Sequence, residues 1–317
     1  MKRLAVLVLL IGFAVTAACA PILSSQTTQT TSTGDEVSGL ARFASTSSRS
    51  TIVGKQFDYS VQKGDSLSAI GARFGVGAKA LASQNGITLS AKLRPGQVLR
   101  VDNRHIVPGV LQDGILINLP QRLLFLFEDG RLVAWYPVAV GQPDWQTPTG
   151  SFKIVTRETD PVWDVPVSIQ REMRQKGEPV KKKVPPGPDN PLGEYWMGLS
   201  ATCCGIHSTN APSSVYQFKT HGCIRMNPDD AEDLFYRVEV GIPVEIIYEP
   251  VLMARKPDGT TFMEVHPDIY RRGNHVERAT EIAESHGLPS GGGSPEWVET
   301  LRGAEGIATA IADSSER

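Results

Sequence analysis

Between Arg122 and Val140, two runs rich in Leu, Val, Phe and aromatic residues, Arg122 to Glu128 and Arg131 to Val140, are separated only by Asp129-Gly130. A two-residue Asp-Gly link takes the positive-φ turn whose twist matches paired strands, so this stretch has to fold as an antiparallel hairpin. Further strands are predicted over Gly150 to Arg157, Gly193 to Leu199 and Ile242 to Tyr248, with one helix from Pro228 to Val238. Residues 110–249 therefore read as a mainly β domain, a sandwich or barrel-like arrangement. Inside it, Pro179 to Pro191 carries Lys181-Lys182-Lys183 and then Pro185-Pro186-Gly187-Pro188. So many prolines remove backbone donors and exclude a central strand, which leaves a structured loop. Loops on a β scaffold often border active sites, although the three lysines read equally well as a solvated surface.

Upstream, residues 56–102 form a small α+β unit. Tyr59-Ser60-Val61 suits a short strand and Gly64-Asp65-Ser66 is turn and helix-cap chemistry. Leu67, Ile70 and Phe74 then recur at helical spacing, a second helical run from Ala78 stops at Asn85-Gly86, and Leu93 to Val101 reads as a turn with a closing strand. The expected order is strand, helix, helix, strand.

The ends are simpler. Lys2 and Arg3 precede an apolar run from Leu4 to Val15, too short to span a bilayer core of about 20 residues, so residues 1–19 read as an export signal. Thr16-Ala17-Ala18-Cys19 resembles a lipoprotein signal in which Cys19 is lipidated; the competing site, after Ala20, places Pro21 just beyond the cut. Residues 20–55, rich in Ser, Thr and Gly, bury too little to offset their ordering entropy and are expected to be a flexible tether. At the far end, 250–272 reads as an extension of the β domain, and 273–317 as a separate tail with helical stretches around Val276 to Ser285 and Glu296 to Ala312. Thirty-two basic against 34 acidic residues give no basic field, which excludes nucleic acid as a partner.

Of the four cysteines, Cys19 falls in the signal, Cys203 and Cys204 are adjacent, and Cys223 stands alone. There is no C-x-x-C and no common zinc spacing, so no metal site is expected. Chemistry concentrates in Ile206-His207-Ser208-Thr209-Asn210 and Thr220-His221-Gly222-Cys223-Ile224-Arg225. A thiol performs acyl chemistry as thiolate, and an ordinary cysteine of pKa about 8.5 is only a few per cent ionised at neutral pH. Two histidines lie near enough in sequence to take its proton, and Gly222 keeps the approach to sulfur open while permitting a turn of backbone donors. Cys203 and Cys204 read as buried, inert apolar residues; the alternative is a disulfide, with each other or with Cys223, that would switch the site off.

Two resemblances attach to these residues. Tyr59-x-Val61-x-x-Gly64-Asp65-x-Leu67-x-x-Ile70, with Asn85 and Leu93-x-x-Gly96-Gln97-x-Leu99-x-Val101, resembles a LysM module, which implies binding of peptidoglycan glycan strands; a plain structural cap is the other reading. Gly71, where that family usually has Ala, is expected to loosen the first helix by roughly 1 kcal/mol. The histidine, loop and Thr-His-Gly-Cys pattern resembles the YkuD type of L,D-transpeptidases. Thr147-Pro148-Thr149-Gly150-Ser151-Phe152 and Gly187-Pro188-Asp189-Asn190-Pro191-Leu192-Gly193 look like its ErfK/YbiS/YcfS/YnhG subgroup. The resemblance implies Cys223 as nucleophile, His207 as general base, Ser208 as the carbonyl orienting that imidazole, and His221 with Gly222 on the oxyanion side. Arg225 and Thr220 would contact substrate. It implies no cofactor, a thioester formed on peptidoglycan stem peptides with loss of D-Ala, and an amine acceptor from a second stem peptide or an envelope lipoprotein. A hydrolase of the same fold, or a glycan-binding protein with an idle cysteine domain, are the rival classes.

Overall fold

The computed structural model describes residues 51–201, 204–287 and 294–311. The expected export signal and Cys19 anchor, most of the expected tether and Cys203 lie outside them. The tether does not extend to Lys55: Ile52–Val53 is a strand paired antiparallel with His105–Ile106. Its two β-branched residues sit in a polar stretch whose average composition concealed them.

The strand, helix, helix, strand order appears as Gln56–Ser60, Leu67–Phe74, Ala78–Gln84 and Val98–Asp102, the two strands pairing antiparallel. Ser66 caps the first helix by accepting from the Ala69 N–H, and Asn85 ties the second to the closing strand through Arg100 N–H and C=O. Ile70, Leu81, Leu99 and Val101 make the buried floor. The expectation for Gly71 is corrected here, because a Cβ on it would stand 2.2 Å from the Val76 carbonyl oxygen. Glycine lets the chain fold back against the helix, a close approach that a propensity argument does not see.

In the larger domain the hairpin is Leu123–Glu128 with Arg131–Gly141, turned at Asp129 (φ 49°) and Gly130 (φ 71°). It belongs to a nine-stranded sheet that runs from Phe218–Thr220 through Arg131–Gly141, Ile224–Met226, Gly205–His207, Tyr195–Leu199, Gly150–Thr159, Pro243–Ile247 and Gly114–Asn118 to Leu123–Glu128. Because the hairpin partners pair with each other, the sheet closes on itself as a barrel. Val138, Met197, Ile206, Ile224 and Met226 point into its core, and the helix Pro228–Arg237 adds Ala231 and Leu234 to that core.

The proline-rich loop contributes only Lys183–Val184, paired with Trp163–Asp164. Before it comes an unanticipated helix, Val167–Gln175, none of whose residues is buried. The C-terminal division also needs correction. The last helix is Pro295–Gly303; Ala304 (φ 43°) and Gly306 (φ 71°) turn the chain, and Thr309–Ile311 becomes a strand beside Thr261–Val265, which also pairs with Val251–Arg255. Residues assigned to extension and tail share one core of Val251, Met263, Trp297 and Ile311. Ile307 goes further and packs into the core of the N-terminal module. No helix among the described residues is long and apolar enough to cross a membrane.

The modules meet around Glu264. His105 Nδ1 lies 2.8 Å from Glu264 Oε1, His266 Nε2 lies 2.7 Å from the same oxygen, and Gln121 Nε2 donates to it at 3.1 Å; the Ile106 N–H donates to Oε2. Among the described residues this is the one group of three whose ligand-type atoms fall within 4.8 Å of one another. Its short contacts are N–H to carboxylate hydrogen bonds, a buried ionic network joining the linker, the barrel and the C-terminal sheet.

Candidate active site

The site is built on two adjacent parallel strands, Gly205–His207 and Ile224–Met226, in which Ile206 opposes Ile224 and His207 opposes Arg225. Alternation along a strand then sorts the chemistry. Ile206 and Ile224 face the core, while His207 and Arg225 share the outer face, with Cys223 two residues before Arg225. On the other side of His207 stands Trp196, its cross-strand partner, with the two rings stacked at 6.1 Å.

His207 is 3% exposed and its Nδ1 donates to the Ser208 carbonyl, the role expected of Ser208. A carbonyl only accepts, so the proton sits on Nδ1 and the lone pair on Nε2. Burial, reinforced by the Arg225 charge, pushes the imidazole down to about 3 against the pull of the Ser208 and Leu192 carbonyls. His207 is therefore a neutral base at rest.

The acidity of Cys223 has another source. A hydrogen bond from the Cys204 thiol, together with one from the Gly205 N–H and the Arg225 charge, outweighs burial and brings the thiol down to about 7. His207, neutral at rest, does not supply this effect. Cys204 is buried, as expected, against the turn that carries Cys223: its sulfur lies 3.3 Å from where a Cβ on Gly222 would be.

The turn carrying Gly222 (φ 105°) is cross-braced by Thr220, whose hydroxyl accepts from Gly222 N–H at 3.2 Å and donates to the Cys223 carbonyl at 2.6 Å. Thr220 is 2% exposed, so the expectation that it contacts substrate is corrected to one of holding the turn. His221 turns to Glu172 of the helix Val167–Gln175, with Nε2 at 2.9 Å, and packs against Trp145 at 5.3 Å between rings. Arg225 Nη1 donates to Ser214 Oγ, and its Nε is buried without a partner. Burial lowers the guanidinium and the Cys223 charge opposes that, but an arginine keeps its charge through any such shift.

Sequence reasoning missed Trp196, Trp145, Glu172 and Tyr270. Tyr270, from the C-terminal extension, donates to the Gly141 carbonyl and accepts from Thr147 N–H, framing the segment beside Gly222. For Trp196 a signal existed: Gly205 and Gly198 are cross-strand partners, and a Cβ on Gly205 would meet the indole at 2.4 Å. Glu172 and Tyr270 reach the site from far along the chain, with nothing local to mark them.

Residues 112–246 match the L,D-transpeptidase catalytic domain of the YkuD family, and residues 59–102 match the LysM domain. Over 238 residues the chain is 32% identical to a Salmonella typhimurium protein named probable L,D-transpeptidase ErfK/SrfK, which spans 74% of this chain and 76% of that protein. It is 35% identical over 173 residues to the Escherichia coli protein named probable L,D-transpeptidase YbiS, 54% of this chain and 56% of that one. A third relative, probable L,D-transpeptidase YcfS of Escherichia coli, is 31% identical over 226 residues, 69% and 71% of the two chains. This chain belongs to the YkuD family of L,D-transpeptidases, with a LysM domain ahead of the catalytic domain.

Proposed function

We propose that the protein is a peptidoglycan L,D-transpeptidase acting through a thioester on Cys223. The observation that carries this is the parallel register that pairs His207 with Arg225, two residues beyond Cys223, and sets the Cys204 sulfur against the turn at Gly222. The sulfur attacks the carbonyl between the third residue and D-Ala of a stem tetrapeptide. His207 Nε2 takes the thiol proton and passes it to the departing D-Ala amine, so a C–S bond replaces the C–N bond. An amine then attacks the thioester with His207 again as base, restoring the thiol. In the resting enzyme the Gly222 N–H rests on Thr220, and an oxyanion bound on the Gly222 and His221 side displaces that contact. Arg225, with its unpartnered Nε, suits a substrate carboxylate.

The acceptor is a second stem peptide, giving a 3→3 cross-link, or the terminal lysine of an envelope lipoprotein; the LysM domain holds the enzyme on glycan strands. Thr16-Ala17-Ala18-Cys19 supports export with a lipid anchor at Cys19, which metabolic labelling with a palmitate analogue tests. For the reaction, purified protein and a Cys223→Ala variant are incubated with disaccharide tetrapeptide and the products weighed. D-Ala release with a cross-linked dimer, absent in the variant, is the expected result. Release with tripeptide alone points to a hydrolase or a protein acceptor, and no release with no acyl-enzyme overturns the assignment.

A further inference from the structure

A thiolate enclosed by protein needs hydrogen-bond donors, because removing charge from water without them costs far more than a neutral group does. At Cys223 the donors come from one short segment: the Gly205 N–H and the side chain of Cys204. Cys204 is 5% exposed and immediately precedes the Gly205–His207 strand. The parallel register, Ile206 opposite Ile224, sets Gly205 level with Cys223, which brings the Cys204 sulfur against the turn at Gly222. Packing alone does not explain a thiol at this place, since one face of it meets the nucleophile and not the core.

We propose that Cys204 is a positioning residue for the nucleophile: its S–H donates to the Cys223 sulfur, steadies the charge that forms there as the thiol proton leaves, and fixes the sulfur in place for attack. This rests on Cys223 being the reactive thiol of the proposed function. The two sulfurs share one proton, because ionising both would set two like charges in contact. The pair therefore titrates in two steps, of which the lower belongs to the reactive state. His207 cannot substitute for Cys204, being neutral at rest, and the Arg225 charge adds to the effect of the thiol. Neither the fold nor the barrel core requires a thiol at position 204, so serine, a hydroxyl donor of similar size, should serve in part and alanine should not.

The test reads the Cys223 thiol itself and needs no substrate. Full-length wild type, Cys204→Ala and Cys204→Ser are alkylated with iodoacetamide across a pH series, and the Cys223 peptide is quantified by mass spectrometry. In Cys204→Ala the midpoint should rise by about one pH unit or more, toward the ordinary cysteine value of about 8.5. Cys204→Ser should recover most of that rise. An unchanged midpoint in Cys204→Ala, or a serine variant no better than alanine, overturns the proposal; thermal unfolding of each variant shows whether it is folded. If the midpoint shifts as expected while wild type releases no D-Ala from disaccharide tetrapeptide, the transpeptidase assignment falls and the role of Cys204 stands.

Discussion

Glu264 and His105 form a buried ion pair at which three parts of the chain converge. His105 Nδ1 lies 2.8 Å from Glu264 Oε1, while its Nε2 lies 2.9 Å from the Gly75 carbonyl of the LysM domain. Both oxygens accept, so the ring satisfies them with a proton on each nitrogen. Both side chains are fully buried, and His266, Gln121 and the Ile106 N–H complete the shell around the carboxylate.

Replacing Glu264 with Gln leaves the buried imidazolium without its counter-charge. Removing one partner of such a pair typically costs about 3–5 kcal/mol. Urea unfolding of Glu264→Gln should show a loss of that order; a change below about 1 kcal/mol would mean the network is structurally idle.

Burial pushes the Glu264 carboxyl up, but the charge and hydrogen bonds of His105, and then His266, carry it down to about 2 from 4.5. A depressed folded-state value means the stabilisation is fully present above pH 4.5 and is lost as pH falls from there through about 2. The urea midpoint of wild type should fall across that window, and Glu264→Gln should flatten the decline.

Toward an alkylating agent the reactive form of Cys223 is the thiolate, so its alkylation rate should climb as pH rises through about 7. His207, pushed down to about 3, adds no second step near neutrality. A kcat/KM profile that instead required a protonated imidazole near pH 6 would contradict the neutral base.

Gly71→Ala reverses an ordinary rule. In an exposed helix this change gains up to about 1 kcal/mol, yet here the new Cβ would sit 2.2 Å from the Val76 oxygen. Overpacking of this kind costs about 1–3 kcal/mol, so the variant should melt lower than wild type.

Gly205→Ala tests the indole. Its Cβ would meet Trp196 at 2.4 Å and move the N–H that holds Cys223. Slower alkylation of Cys223 at pH 7, with secondary structure retained by circular dichroism, is the expected outcome.

The barrel was legible in the chain because the Asp129-Gly130 hairpin and the alternating strands are local signals, and the LysM order was legible from caps and helical spacing. His207, Ser208 and Cys223 were legible from a motif confined to a few residues. What was hidden depends on distance: Glu172 reaches His221 from 49 positions away, and Tyr270 reaches Gly141 from 129. Cys204 is buried as expected, and only the strand register shows that it lies against the turn carrying Cys223. The C-terminal strand Thr309–Ile311 was taken for helix because its partner lies in a segment assigned elsewhere.

Ile307 completes the apolar floor that Ile70, Leu81 and Leu99 begin. The LysM core is otherwise assembled from neighbours in sequence and should gather quickly, whereas this last contact waits on a segment that follows the whole barrel. The LysM core is therefore completed only once the C-terminal segment is in place. Excising residues 56–102 would uncover Ile307 as well as remove a binding domain, so point changes on the module's surface are the cleaner way to separate adhesion from catalysis.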